Sequence, residues 1–347
     1  MQNVLIVTDI NKDPDDLLML IMAAALHKRG KINLLGVITT SGCDSVTLNR
    51  AKYARGILNA LDADIPVCAG SGKQYESVEA TTSMNMFVDT QEVRGFVKEG
   101  SRVEVKPLEF LRRCLEQVDD KTLSLLCVAG MTDVARLMIA ERQLFLDKIE
   151  KIAVMGGVTF DDKDKVGLSN AYNNLCDFSA AELVKGFSID NNIRTLVVDR
   201  EAARKVSVDI EFYRTLLAGG HPVGVHAYNV QSEAFKEMIN GIQNGTNLKR
   251  HTMEWFFEKF TTITLSDYDK FRNADPALIV NMVDRQNLYD PLTLMALVES
   301  EFKDMFAIDK HNNILLPVPK QIREIYGAFY DLISEYLKNM QEQKSAS

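Results

Sequence analysis

The sequence predicts an α/β fold: a single domain with an open, mostly parallel central sheet flanked by helices, and with extra helices in its C-terminal half. Three observations carry that expectation. Short apolar runs of strand length alternate with stretches of helical spacing from the N-terminus to about Val198, the pattern of parallel β-α-β units. The 347 residues contain no internal repeat, low-complexity tract or clean linker, and one large α/β domain accommodates that length. The hydrophobic and charged fractions, 46% and 25%, are those of a globular protein with a large core.

The first strand is the apolar run Val4 to Val7, and Pro14 to Lys28 has helical spacing. Lys31 to Thr40 reads as a second strand. Asp44 to Leu61 reads as a helix with basic residues and Asn49 on its polar side, and Ile65 to Ala69 as a short third strand closed by Gly70-Ser71-Gly72. Lys73 to Lys106 breaks the rhythm. It is polar, with Met84, Met86 and Phe87 close together, and suits either a functional loop or an ordinary surface excursion. The alternation resumes with a helix at Leu108 to Val118, a buried strand at Thr122 to Ala129, a helix at Thr132 to Ile139 and a turn near Leu144 to Ile149. Lys151 to Met155 is a strand ending in Gly156-Gly157, followed by a polar loop from Thr159 to Asn174. Asp177 is placed to cap a helix from Phe178 to Gly186, and Arg194 to Val198 is predicted to be the last core strand. Arg200 to Asp275 reads as helices, and a final helical pair is predicted at Pro291 to Val298 and Pro319 to Met340, with proline in each first turn. The domain thus spans residues 1–340, leaving Gln341 to Ser347 as a polar tail expected to fray.

A net charge of −8 argues against nucleic acid as a partner. The five cysteines lack C-x-x-C spacing, which suits buried free thiols in a reducing compartment. The chain enters a strand at once, without a basic leader or a long apolar stretch. A cytoplasmic protein with no membrane span is therefore expected.

The chemistry concentrates between the first strand and the first helix. Asp9, Asp13, Asp15 and Asp16 fall within N-V-L-I-V-T-D-I-N-K-D-P-D-D, where open α/β sheets place their active sites. Helix punctuation explains part of this: Asp13 suits an N-cap, Pro14 the first helical position, and Asp15 and Asp16 the helix dipole. Asp9 is left over, and so many crowded carboxylates repel unless they are hydrated, share protons or bind a cation. Neither G-x-G-x-x-G, a P-loop nor G-x-S-x-G is present, so dinucleotide, P-loop and α/β-hydrolase chemistry lack support. Val7 stands where an aspartyl-nucleophile phosphatase needs its first acid.

The opening V-T-D-I-N-K-D-P-D-D resembles, without a gap, the D-T-D-I-G-T-D-x-D-D motif of the calcium-dependent nucleoside hydrolases (inosine-uridine nucleoside N-ribohydrolases). Further segments follow in the family's order: G-V-I-T-T-S-G at Gly36 to Gly42, with Asn49 and Ala51 after it; I-P-V-C-A-G at Ile65 to Gly70; A-G-M-T-D-V-A at Ala129 to Ala135; V-M-G-G at Val154 to Gly157; Asn173 with Asp177, Ala180 and Ala181; and Y-D-P-L at Tyr289 to Leu292. The resemblance implies a Ca²⁺ site made by Asp9, Asp16, the backbone oxygen of Thr132 and Asp290, an oxygen donor set such an ion favours. Asp15 and Asn173 would bind the ribose hydroxyls, and Asp9 would also take a proton from the attacking water as the N-glycosidic bond breaks through an oxocarbenium-like state. Met155 is a candidate pocket wall, although core packing explains it, like Tyr172, equally well. The resemblance further implies a role in purine or pyrimidine salvage and a homodimer or homotetramer.

The departures fall at the substrate ends. Tyr289 replaces the family's leaving-group histidine, and a phenol with a pKa near 10 is a poorer proton donor. Ala171 replaces the glutamate that helps hold the 5′-hydroxyl, with Asn170 as a possible substitute. Cys43 replaces an asparagine, and Val7 the first Asp of D-T-D. The expected substrate is a nucleoside-like small molecule other than standard inosine or uridine. Lys12, Lys163 and Lys165 are candidates for a 5′-phosphate. The rival expectation is a metal- and ribose-binding protein that has lost turnover. His221, His226 and His251 are further candidate acids, and Tyr228 and Trp255 candidate base-stacking residues.

Overall fold

The computed structural model describes residues 1–11, 13–73, 87–163, 165–246 and 251–346. Its strands are β1 (Gln2–Thr8), β2 (Ile32–Thr39), β3 (Val67–Ala69), β4 (Leu123–Cys127), β5 (Ile149–Met155), β6 (Val158–Phe160), β7 (Val166–Leu168), β8 (Arg194–Val198), β9 (Ser207–Val208), β10 (Gln286–Asn287), β11 (Phe306–His311) and β12 (Ile314–Pro319). An 8-stranded sheet runs in the order β11-β12-β8-β5-β4-β1-β2-β3. Every pairing in it is parallel except β11 with β12. The expected single-domain, mostly parallel α/β architecture is what is found.

Alternation along the strands builds a core on each face, as a sheet covered on both sides requires. Val4, Ile6, Leu126, Ala153 and Leu196 enter one cluster with the helices Pro14–Lys28, Asp44–Ala60, Tyr289–Leu297 and Ile322–Ala346. Leu5, Val7, Leu125, Ile152 and Val154 enter the other, with the helices Pro107–Glu116, Thr132–Ala140 and Phe178–Asp190. A satellite cluster joins Pro222–Gln243, Met253–Phe260 and Pro276–Val280. Helices 14–28 and 289–297 pack against each other and are buried almost all round, which accounts for their uniformly apolar sequences.

Several expectations are corrected. β8 is not the last core strand: β12 pairs with it in parallel and carries β11 as an antiparallel edge. Pro319 therefore ends a strand, and the helix after it begins at Ile322. Proline removes a ladder donor, but β12 pairs with β8 only at Ile314 and Leu315, so Pro317 and Pro319 lie beyond that contact. The same helix continues to Ala346, past the Met340 boundary of the expected tail. The loop from Thr159 to Asn174 contains the β6–β7 hairpin. The stretch from Lys73 to Lys106 contains a helix, Gln91–Glu99, capped by Thr90. Met84, Met86 and Lys12 lie outside the described residues.

None of the five cysteines is in a disulfide, and all but Cys43 are buried. Among the described residues, no helix is long and apolar enough to cross a membrane.

Candidate metal and ribosyl site

Strand order reverses between β1, which leads to β2 and β3, and β4, which leads to β5 and β8. Such a switch point opens a crevice at the carboxyl ends of the strands. Asp9 follows β1 there, Thr132 begins the helix after β4, and Gly156-Gly157 follow β5. Asp15 and Asp16 occupy the first turn of helix 14–28, and Asp290 the first turn of helix 289–297. Because these two helices pack together, their N-termini converge. Carboxylate oxygens of Asp15, Asp16 and Asp290 lie within 4.8 Å of one another. Helix N-termini favour negative charge, which is why buried acids are tolerated in these apolar helices.

The acids nevertheless hold their protons tightly. Burial, then repulsion from Asp13, pushes Asp15 up to about 8. Burial drives Asp16 and Asp290 well above the usual carboxylate range, with the neighbouring acids adding to it. Thr8 Oγ1 donates a hydrogen bond to Asp16. Asp9 is also raised by burial, opposed chiefly by Arg50, whose Nη1 stands 3.5 Å from its carboxylate and donates to the Thr40 carbonyl at 3.0 Å. A hard cation is bound by oxygen ligands of this kind, so the donor set fits a metal. The tight cluster is Asp15, Asp16 and Asp290, whereas Asp9 sits against Arg50.

Other expected residues lie at the carboxyl ends of β4 and β5. Asn173 Nδ2 donates to the carbonyls of Val128 and Met155 at 2.9 and 3.0 Å. Its amide is thereby locked across the ends of β4 and β5, while the Met155 side chain belongs to the core. Thr132 Oγ1 donates to Asp177 at 2.7 Å, and Asp177 also accepts from Lys73 and from the backbone of Ala180. The predicted capping of helix 178–190 by Asp177 is therefore present. Asp13 occupies the N-cap position of helix 14–28 but makes no capping hydrogen bond; it lines the pocket instead. Asp290 lies within its helix, whose N-cap is Leu288.

A cavity of about 200 Å³ adjoins the acids, lined by Asp13 and Asp15 at one end and by Phe235, Lys259, Phe260 and Tyr289 among others. Tyr289 accepts a hydrogen bond from Asn287 Nδ2 at 2.9 Å, and burial raises its pKa. Asn170 accepts from Arg200 Nη2 at 2.7 Å.

The histidines are held by structure. His226 bonds to Tyr53 Oη at 2.6 Å and stands 3.3 Å from Glu92. His221 caps its own helix, and His251 stacks on Trp255. Lys163 and Lys165 donate backbone N–H groups to Asp161 in the hairpin turn. Exposed Tyr172 is not core packing. Within the stretch from Lys73 to Lys106, Val88 pairs both ways with the Asn11 side chain, which ties the segment to the acid loop.

Arg50, Arg200, Arg204 and Lys259 escaped the sequence reading. Arg50 had a signal, because it shares a helical face with Val46, Tyr53 and Ile57, all buried; a charge there needs a buried partner.

The chain matches the family model for inosine-uridine preferring nucleoside hydrolase over residues 4–326. Among solved structures it is similar to the effector protein XOO4466, with 26% identity and a TM-score of 0.82 over 98% of this chain and 93% of that one. It is also similar to the type III effector protein XopQ complexed with adenosine diphosphate ribose, with 27% identity and a TM-score of 0.80 over the same shares, 98% and 93%. A purine-preferring ribonucleoside hydrolase from Gardnerella vaginalis shares the fold at 13% identity, with a TM-score of 0.65 over 97% of this chain and 99% of that one. No curated protein sequence matches the chain.

Proposed function

Since the chain belongs to the inosine-uridine preferring nucleoside hydrolase family, we propose that it hydrolyses the N-glycosidic bond of a ribosyl compound with the help of Ca²⁺. The observation that carries this reading is the convergence of Asp15, Asp16 and Asp290 within 4.8 Å at the sheet's switch point. Asp16 and Asp290, with Asp9 and the Thr132 carbonyl, would hold the ion, and Asp15 would face the ribose 2′-hydroxyl. When bound, the cation supplies a lowered pKa to a water molecule and an anchor for the ribose diol.

The chain's own groups do the rest. Asp9, which faces Arg50 Nη1 at 3.5 Å, accepts the proton of the attacking water. Asn173, with its Nδ2 committed to two carbonyls, presents its oxygen to a sugar hydroxyl. The surrounding carboxylates stabilise positive charge developing on the ribose ring. Tyr289, a neutral phenol in the adjoining cavity, donates a hydrogen bond to the departing base. The ADP-ribose found on a similar effector protein supports a ribosyl ligand of some kind at this site.

The test is base release from a panel of nucleosides and nucleotides with and without a chelator. Chelator-sensitive release supports the reading. Calcium-dependent ribose binding without release from any substrate supports the second one, a binding protein without turnover, which similarity to two effector proteins favours. The free thiols support a reducing, cytoplasmic setting. A homodimer or homotetramer is proposed from family resemblance and is read by light scattering.

A further inference from the structure

Three segments meet beside the cavity. Segment 200–208 runs alongside 284–289: β9 pairs with β10, Leu288 N donates to the Val206 carbonyl, and helix Arg200–Ala203 packs on helix 289–297. The end of helix 253–260 joins them, because the Phe260 carbonyl accepts from Asp284 N and Arg285 N at 3.0 and 3.2 Å. This arrangement brings together Arg200, Arg204 and Lys259, and Lys259 lines the cavity that also contains Asp15 and Tyr289.

The cluster is short of anions. Among the described residues, neither Arg200 nor Lys259 has a carboxylate within ion-pair distance. Arg204 alone is paired, to Glu201 at 2.7 Å. Half-buried Lys259 instead has its Nζ 5.8 Å from the Trp255 ring centroid and 5.9 Å from that of Phe260. Its pKa is lowered by burial and then by Arg204 and Arg200, with Glu201 opposing them, as expected where like charges crowd. In a chain of net charge −8, three cations gathered beside the cavity and offset, among the described residues, by Glu201 call for an anionic ligand. Guanidinium groups suit phosphate oxygens geometrically, and a lysine adds a point charge.

We propose that Arg200, Arg204 and Lys259 form a phosphate subsite, so that the substrate is a ribosyl compound phosphorylated at C5′. This rests on the ribosyl reading above: the acid cluster engages the 2′- and 3′-hydroxyls and C1′ carries the leaving base, which leaves C5′ as the ribose carbon that bears the phosphate. Arg200 also fixes Asn170 through the 2.7 Å hydrogen bond, coupling the subsite to the loop after β7. These residues differ from Lys12, Lys163 and Lys165, the candidates the sequence offers for a 5′-phosphate, of which Lys12 lies outside the described residues.

The experiment compares adenosine, AMP and ADP, which share base and ribose, by calorimetric binding to the full chain with Ca²⁺ present. The wild type is expected to bind AMP or ADP at least about tenfold more tightly than adenosine, and the preference should shrink as salt is raised. Lys259→Met, which keeps the aliphatic stem between the rings, and Arg200→Gln should each narrow the ratio several-fold, with folding checked by thermal melts. A wild-type ratio near one, or a ratio unchanged in both variants, overturns the subsite. Base release assayed on the same ligands separates the two readings. Turnover of nucleosides with no phosphate preference removes the subsite and keeps the hydrolase; a charge-dependent preference without turnover keeps the subsite and removes the hydrolase.

Discussion

Asp290→Asn tests whether the converging helix N-termini store a repulsion that a cation relieves. Carboxylate oxygens of Asp290, Asp15 and Asp16 lie within 4.8 Å of one another. At an effective dielectric constant near 20, a fully ionised pair at that distance repels by ~3–4 kcal/mol. Retained protons reduce the realised cost, because Asp15 titrates at about 8 and Asp16 and Asp290 well above the normal range. The amide is therefore expected to stabilise the metal-free protein by ~2 kcal/mol, a rise of a few degrees in Tm. The pH dependence has a definite sign. These carboxyls hold protons in the folded chain that an unfolded Asp, at 3.8, releases. The contribution of Asp15 is complete below about pH 4 and is lost as pH rises towards 8, and Asp16 and Asp290 act in the same direction. Metal-free wild type should thus melt lower at pH 8 than at pH 5. Calcium at one hundred times its Kd should restore ~2.7 kcal/mol, and Asp290→Asn should lose most of that increment. Scanning calorimetry with EDTA or calcium at both pH values reads all of this. Equal metal-free Tm at the two pH values, with no effect of the substitution, would refute the reasoning.

Asp9→Asn is expected to reduce the rate of base release by ~10²–10⁴, as for loss of a general base, and to weaken calcium-dependent adenosine binding measured by calorimetry; unchanged turnover removes Asp9 from the chemistry. Arg50→Met leaves Asp9 without its partner and should lower stability by ~3 kcal/mol in urea unfolding. Tyr289→Phe should lower kcat more than KM, and since burial raises the Tyr289 pKa above its usual 10, the wild-type pH–rate profile should show no alkaline fall due to this phenol up to about pH 9. Gly100→Ala would drive a Cβ into the Lys52 carbonyl oxygen between helices 44–60 and 91–99; a loss of ~1–3 kcal/mol is expected, seen as a lower Tm.

Local signals account for what was legible in the chain. The run Val4 to Val7 has the look of a strand buried on both faces, and both faces are covered. Asp13 and Pro14 mark the start of the first helix, which begins at Pro14. The acid-rich turn announces a site because unpaired carboxylates crowd within a few residues of one another. Each of these features depends on neighbours along the chain. The errors fall where distant contacts override local preference. Pro319 suits the first turn of a helix, yet it ends β12, which is held by β11 and by two residues of β8. Gln91–Glu99 became a helix in a segment without obvious periodicity, fastened by Glu92 to His226 and Asn229.

The site divides in the same way. Asp9, Asp15 and Asp16 are close in sequence, so their shared location was never in doubt. That Asp290 joins Asp15 and Asp16 follows from the packing of two apolar helices, and that Asp9 faces Arg50 follows from a helix turning one charged side chain into the core. The cluster of Arg200, Arg204 and Lys259 has no spacing to reveal it, because three separate segments are hydrogen-bonded into one corner by β9, β10 and the Phe260 carbonyl. The sequence alone was enough for the fold class, the acid-rich turn after the first strand and the family. Which charges meet one another was decided by folding, since electrostatic partners are set by distance in space and chain order does not constrain them.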